Sequence, residues 1–171
     1  ICKLDLPPVS VVQQQQLQWD VAVCVQCGTK LDSFDVSLNQ VSGTLPVEYS
    51  AWNQLTIFVV YINNLTGSLP SSYSAWAKLD SFDVSLNRLI GTLPSEFGVW
   101  RHLTFSHAQY NNLSGSLPPS YCAWMSLDWL DVSNNQLTGT LKPQYSFWSA
   151  LTIFSAGSNS QKKNEPRLAR R

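Results

Sequence analysis

The sequence predicts a solenoid, a coil of short parallel strands, one per turn, around a single elongated core. Three observations carry that expectation. The 171-residue chain repeats every 24 residues; the head of each unit alternates apolar with polar residues; and Asn, Gly and Trp return at fixed places in the unit.

With Leu31 as position 1, full units begin at Leu31, Leu55, Leu79, Leu103 and Leu127, and a partial sixth begins at Leu151. Position 9 is always Asn: Asn39, Asn63, Asn87, Asn111, Asn135 and Asn159. Gly43, Gly67, Gly91, Gly115 and Gly139 hold position 13, and Trp52, Trp76, Trp100, Trp124 and Trp148 hold position 22. Pro follows the position-15 Leu in four units, and in the fifth Lys142 takes the slot with Pro143 one step late. "LDSFDVSLN" at 31–39 recurs letter for letter at 79–87, so the duplicated block is a pair of units.

Each element has a physical reason. Inward residues at positions 4 and 6, such as Phe34 and Val36, make a strand that is stable only when stacked on copies of itself about 4.8 Å apart. The recurrent Asn suits the turn after the strand, where its amide bonds backbone groups otherwise buried unpaired. Gly gives freedom at the next bend, Leu-Pro predicts extended chain, and Tyr or Phe at position 19 with Trp at 22 fill the far side. Ser106 breaks the inward row; either a small gap there is tolerated or Phe105 swings inward.

These units resemble the leucine-rich repeat family, whose LxxLxLxxNxL segment is matched by "LDSFDVSLNQV", "LTIFVVYINNL", "LDSFDVSLNRL", "LTFSHAQYNNL" and "LDWLDVSNNQL". The following "TGTL" and "TGSLP" are similar to the 24-residue subclass of plant receptors and kinetoplastid surface antigens, and the aromatic-rich return is most similar to the surface-antigen branch. The resemblance implies an α/β-type leucine-rich repeat solenoid: a curved right-handed coil, mostly parallel β, with irregular or 3-10 segments on the convex side. It divides the chain into an N-terminal cap at 1–30, repeats at 31–159 and a basic tail at 160–171. In extracellular members the cap carries a Trp and paired cysteines, and "WDVAVCVQC" is similar. Cys24 pairs with Cys27, or either pairs with Cys2; a zinc or redox CxxC is the alternative, disfavoured because no second CxxC is present.

Composition narrows the function. Only 13% of residues are charged, and five of the eleven basic residues lie in the last ten positions, leaving a mildly acidic body. That is no footprint for nucleic acid. No apolar run reaches the ~20 residues of a membrane span. The chain opens on Ile1 and reads as a piece of a longer product, with any export signal or anchor outside it.

No catalytic motif interrupts the repeat, no metal or cofactor is expected, and the chain is read as not an enzyme. Its carboxylates are periodic: Asp35, Asp83 and Asp131 hold position 5 on alternate units, about 10 Å apart. His107, between Asp83 and Asp131, reads as a pH-sensitive contact or as a solvent-exposed residue with partial charge pairing. The sequons at Asn64 and Asn112 and the cap cysteines favour the secretory route.

The candidate site is therefore the concave sheet face: Asp35, Ile57, Val59, Tyr61, Asp83, Phe105, His107, Gln109, Trp129 and Asp131. Aromatic anchors there supply area and acids select partner charge, as suits a protein or glycan ligand at the cell surface or outside the cell. The alternatives are a glycosylated coat unit, a repeat fragment without independent function, and a cytoplasmic scaffold.

Overall fold

A computed structural model describes residues 30–159. Every unit contributes a short strand at positions 3–5: β1 (Ser33–Asp35), β3 (Ile57–Val59), β5 (Ser81–Asp83), β6 (Phe105–His107), β8 (Trp129–Asp131) and β10 (Ile153–Ser155). They form one parallel sheet in that order, each shifted by one unit, with Phe34 beside Phe58, Phe58 beside Phe82, then Ser106, Leu130 and Phe154. The solenoid, its parallel sheet and its period are as expected. The proposed cap with Cys2, Cys24 and Cys27, and the basic tail, lie outside the described residues.

The sequence reading missed a second set of ladders. β2 (Ser42–Thr44) pairs with β4 (Asn64–Thr66) and β7 (Ser114–Ser116) with β9 (Gln136–Thr138), while single bridges join Ser68 to Ile90 and Thr92 to Ser114. "SGT" and "SGS" have no apolar alternation, so nothing in their pattern signals a strand. All five position-13 glycines have positive φ, and a Cβ at Gly67 would stand 2.7 Å from Thr44 Cγ2. Only glycine fits there.

A second left-handed position carries no glycine. Leu38, Ile62, Leu86, Tyr110, Asn134 and Ser158, all at position 8, have φ between 51° and 57°. Such a backbone costs an L-residue on the order of 1–2 kcal/mol, and the neighbouring position-9 Asn holds it. Asn87 Nδ2 donates to Val60 O (2.9 Å) in the preceding unit and to Val84 O (3.2 Å) in its own, while Asn87 Oδ1 accepts from Leu65 N (3.0 Å). The same pattern recurs from Asn63 to Asn159. Asn39, the first of the six, bonds Val36 O and Ser37 O of its own turn.

The residue after each position-15 Leu, Pro in four units and Lys142 in the fifth, is extended, and a 3-10 turn follows directly: Val47–Ala51, Ser71–Ala75, Ser95–Val99, Pro119–Ala123 and Pro143–Phe147. The turn stacks the position-19 ring on the position-22 indole, 3.9 Å apart for Tyr73–Trp76 and Phe97–Trp100. Each indole N–H from Trp76 onward donates to the position-19 carbonyl one unit back. Tyr73, Tyr121 and Tyr145 likewise donate to Pro46 O, Pro94 O and Leu117 O, and burial pushes all three phenols up, Tyr145 to about 12.

The spacing fixes the bend. Phe34–Phe58 and Phe58–Phe82 centroids lie 5.5 and 5.8 Å apart, while Trp76–Trp100 and Trp100–Trp124 lie 6.4 and 6.5 Å apart. Against a strand spacing of about 4.8 Å, the units fan out toward the 3-10 side, so the strand face is concave. Ser106 is buried and Phe105 stays outward, so Phe105 does not swing in to fill the row. At the Leu151 unit the inward side chains Leu151, Phe154 and Ala156 are only half-buried, beside a cleft of about 390 Å³ lined by Tyr145 and Trp148.

Position 20 is Ser in the first, second and fifth units but Gly98 in the third. There a Cβ would stand 2.7 Å from Ser120 O, because the neighbouring Pro119–Ala123 turn presses against it. Gly98→Ser, although it copies the other units, is expected to destabilise the chain by about 1–3 kcal/mol, read from the midpoint of a urea melt.

Candidate binding face

The concave face is built from positions 3, 5 and 7. Register places side by side Ser33, Ile57, Ser81, Phe105, Trp129 and Ile153 in one row, and Asp35, Val59, Asp83, His107, Asp131 and Ser155 in the next. The expected residues thus share one surface, with Tyr61 and Gln109 in the third row. Phe105 is 37% exposed and Ile153 42%, whereas Tyr61 and Trp129 are half-buried. Phe105, Trp129 and Ile153 form a continuous apolar strip toward the C-terminal units.

The acids are bound into the scaffold more than their outward position suggested. Asp35 Oδ1 accepts from Ser37 N (2.9 Å) and Ser37 Oγ (2.6 Å), Asp83 does the same with Ser85, and Asp131 accepts from Ser133 N (2.9 Å). These bonds close the strand end, giving the recurrence of Asp35/Ser37 as Asp83/Ser85 a structural reason independent of any ligand. The alternation of units has one too. At position 2, Thr104 donates to Asp80 Oδ1 and Thr152 to Asp128 Oδ1, tying even units to odd ones.

His107 is the exception in the acidic row. Its Nδ1 faces Asp83 Oδ2 at 3.6 Å, and its ring meets the Trp129 ring edge-on at 4.6 Å. With 17% of the side chain exposed, it pairs with an acid but is not the solvent-exposed residue of the alternative expectation. Three polar atoms around it are buried without a hydrogen-bond partner: His107 Nε2, Gln109 Oε1 and Trp129 Nε1. Burial of a polar atom cannot be read from a periodic pattern, so no residue type signals it.

Neither strand position 2 nor any position through 7 carries Lys or Arg in any unit, so six aspartates set the charge of the face. Among the described residues no three His, Cys, Asp or Glu side chains could hold a metal ion, and no helix is long and apolar enough to cross a membrane. Asn64 lies half-buried in β4 and Asn112 is exposed, both away from the concave rows. Cys122 is a free thiol packed against the core, in keeping with a small-residue substitution.

The leucine-rich repeat family model matches residues 126–148, one unit. No curated protein matches the chain. Among solved structures it is similar to the leucine-rich repeat ectodomain of the receptor kinase GASSHO1/SCHENGEN3 from Arabidopsis thaliana, in complex with CASPARIAN STRIP INTEGRITY FACTOR 2 (30% identity, TM-score 0.76, 77% of this chain and 16% of that one). It is also similar to the plant peptide hormone receptor RGFR1 in complex with RGF2 (29%, 0.69, 80% and 26%). The Arabidopsis HAESA ectodomain in complex with an IDA peptide hormone ligand aligns at 28% identity, with a TM-score of 0.71 over 73% of this chain and 21% of that one. The chain therefore spans about a quarter or less of these ectodomain structures. With its period, parallel sheet, 3-10 turns and Asn ladder, the chain is a leucine-rich repeat solenoid, similar in its repeats to these plant receptor ectodomains.

Proposed function

We propose that the chain is a non-catalytic recognition module of a cell-surface or secreted protein, taking an extended peptide or protein segment on the concave strand face. The observation that carries this reading is the composition of that face: an apolar strip of Phe105, Trp129 and Ile153 beside an acidic row free of Lys and Arg. Apolar rings supply contact area at little entropic cost, and fixed carboxylates choose the partner's charge. Ectodomains of the same fold that bind peptide hormones support it. Secretion would leave Asn112, exposed on the flank, open to a glycan without touching the face.

The test is selection of a displayed random peptide library on the intact chain. Retained peptides are expected to lose at least tenfold in affinity on Tyr61→Ala, Phe105→Ala and Trp129→Ala, with the melting curve unchanged. Affinity indifferent to all three substitutions would overturn the reading in favour of a coat unit.

A further inference from the structure

We infer that the concave face contains an arginine subsite centred on His107, a deepening of the peptide-binding reading that rests on it. The observation is chemical asymmetry. Along the acidic row Asp35 and Asp83 flank Val59, whereas Asp83 and Asp131 flank His107. The first interval is apolar at its centre. The second gathers polar atoms with unused bonding capacity.

Their chemistry selects the ligand. His107 Nδ1 faces the Asp83 carboxylate at 3.6 Å; in the neutral ring that geometry favours the proton on Nδ1, which leaves Nε2 with a lone pair. Gln109 Oε1 is an acceptor without a donor, and Asp131, whose Oδ1 accepts from Ser133 N, offers its second carboxylate oxygen, Oδ2. Three acceptors thus lie on neighbouring positions, about 5 Å apart across strands and about 7 Å along one. A planar guanidinium, with five N–H donors spread over a fork, spans such a set; an ammonium donates from a single point. Trp129 Nε1–H, beside these acceptors, is an unpaired donor, and a peptide carbonyl beside the arginine would accept from it. The Trp129 and Phe105 rings offer faces on which a guanidinium stacks.

In the free chain His107 Nε2, Gln109 Oε1 and Trp129 Nε1 are buried and paired with nothing, so the unliganded site is held at a cost that a ligand relieves. Entry requires the Trp129 ring to turn off His107, which makes its indole N–H the natural reporter.

The experiment titrates the intact chain with an acetyl-Gly-Arg-Gly-amide probe and follows the indole N–H resonances. The Trp129 signal, assigned by its loss in Trp129→Ile, is expected to shift saturably, while the isosteric neutral citrulline peptide leaves it in place. His107→Val and Trp129→Ile copy residues the second unit carries at the same positions, Val59 and Ile57, so both retain a fold-compatible side chain. His107→Val and Asp131→Asn are expected to weaken the probe at least tenfold, and Asp35→Asn to leave it unchanged. An equal shift with citrulline, a silent Trp129 signal, or an Asp35→Asn loss matching that of Asp131→Asn would overturn the subsite. None of those results would disturb peptides selected on the aromatic strip, so the two readings fail separately.

Discussion

Replacing Trp100 with alanine is expected to cost about 4 kcal/mol and to break the cooperativity of unfolding. The indole has no exposure, stacks on Phe97 at 3.9 Å, meets Phe82 at 5.1 Å, and lies between Trp76 and Trp124 in the far-side column. Its Nε1 donates to Tyr73 O at 3.2 Å, so the alanine variant loses volume, ring contacts and a bond between units together. In a solenoid stability is a sum of units and nearest-neighbour interfaces. A gap in the third of six units separates the two halves, and the urea transition followed by far-ultraviolet circular dichroism should become biphasic. Trp100→Phe keeps the ring and drops the N–H; it is expected to cost about 1–2 kcal/mol and to leave a single transition. Equal losses for the two variants would mean that the hydrogen bond, not the column, holds the far side.

Asn87→Ala is expected to cost about 3 kcal/mol, because it orphans a buried donor. Leu65 N has Asn87 Oδ1 as its partner, whereas Val60 O and Val84 O retain bonds from Asn63 and Asn111. The variant also frees the left-handed Leu86 immediately before it, whose strain the ladder otherwise holds. Asn39→Ala removes bonds within a single turn and should cost less than half as much. The comparison, by chemical denaturation of both variants, separates bracing between units from local turn formation. Similar losses would show that the ladder acts only within each turn.

What was legible in the sequence followed from how often it was repeated. Asn63, Gly67 and Trp76 each stand for a place in the unit, and every further copy narrows what that place must be. Trp at position 22 and Tyr at position 19 held a further clue. A merely apolar requirement would admit Leu or Met, while an unvarying Trp points to its N–H, which the structure finds on a carbonyl one unit back. β2 and β4 were illegible because their pairing is a backbone matter, carried by residues as small as Ser42 and Gly43. The concave rows followed directly from alternation. Their electrostatics did not: whether Asp35 is a free carboxylate or one engaged by Ser37 depends on a turn whose φ is positive at Leu38, and no residue type announces that. The unpaired atoms of His107, Gln109 and Trp129 arise where one unit differs from its siblings, so the repeat that explains the rest of the chain is silent about them.

The side-chain bonds between units have a direction. Asn63 reaches back to Val36, Trp76 to Tyr49, Tyr73 to Pro46 and Thr56 to Asp32; each later turn supplies side chains to the one already behind it. A polypeptide leaves the ribosome in that same order. Every turn can therefore be finished by the next one to emerge, with nothing required from further down the chain, and growth by whole pairs of turns leaves each existing joint as it was.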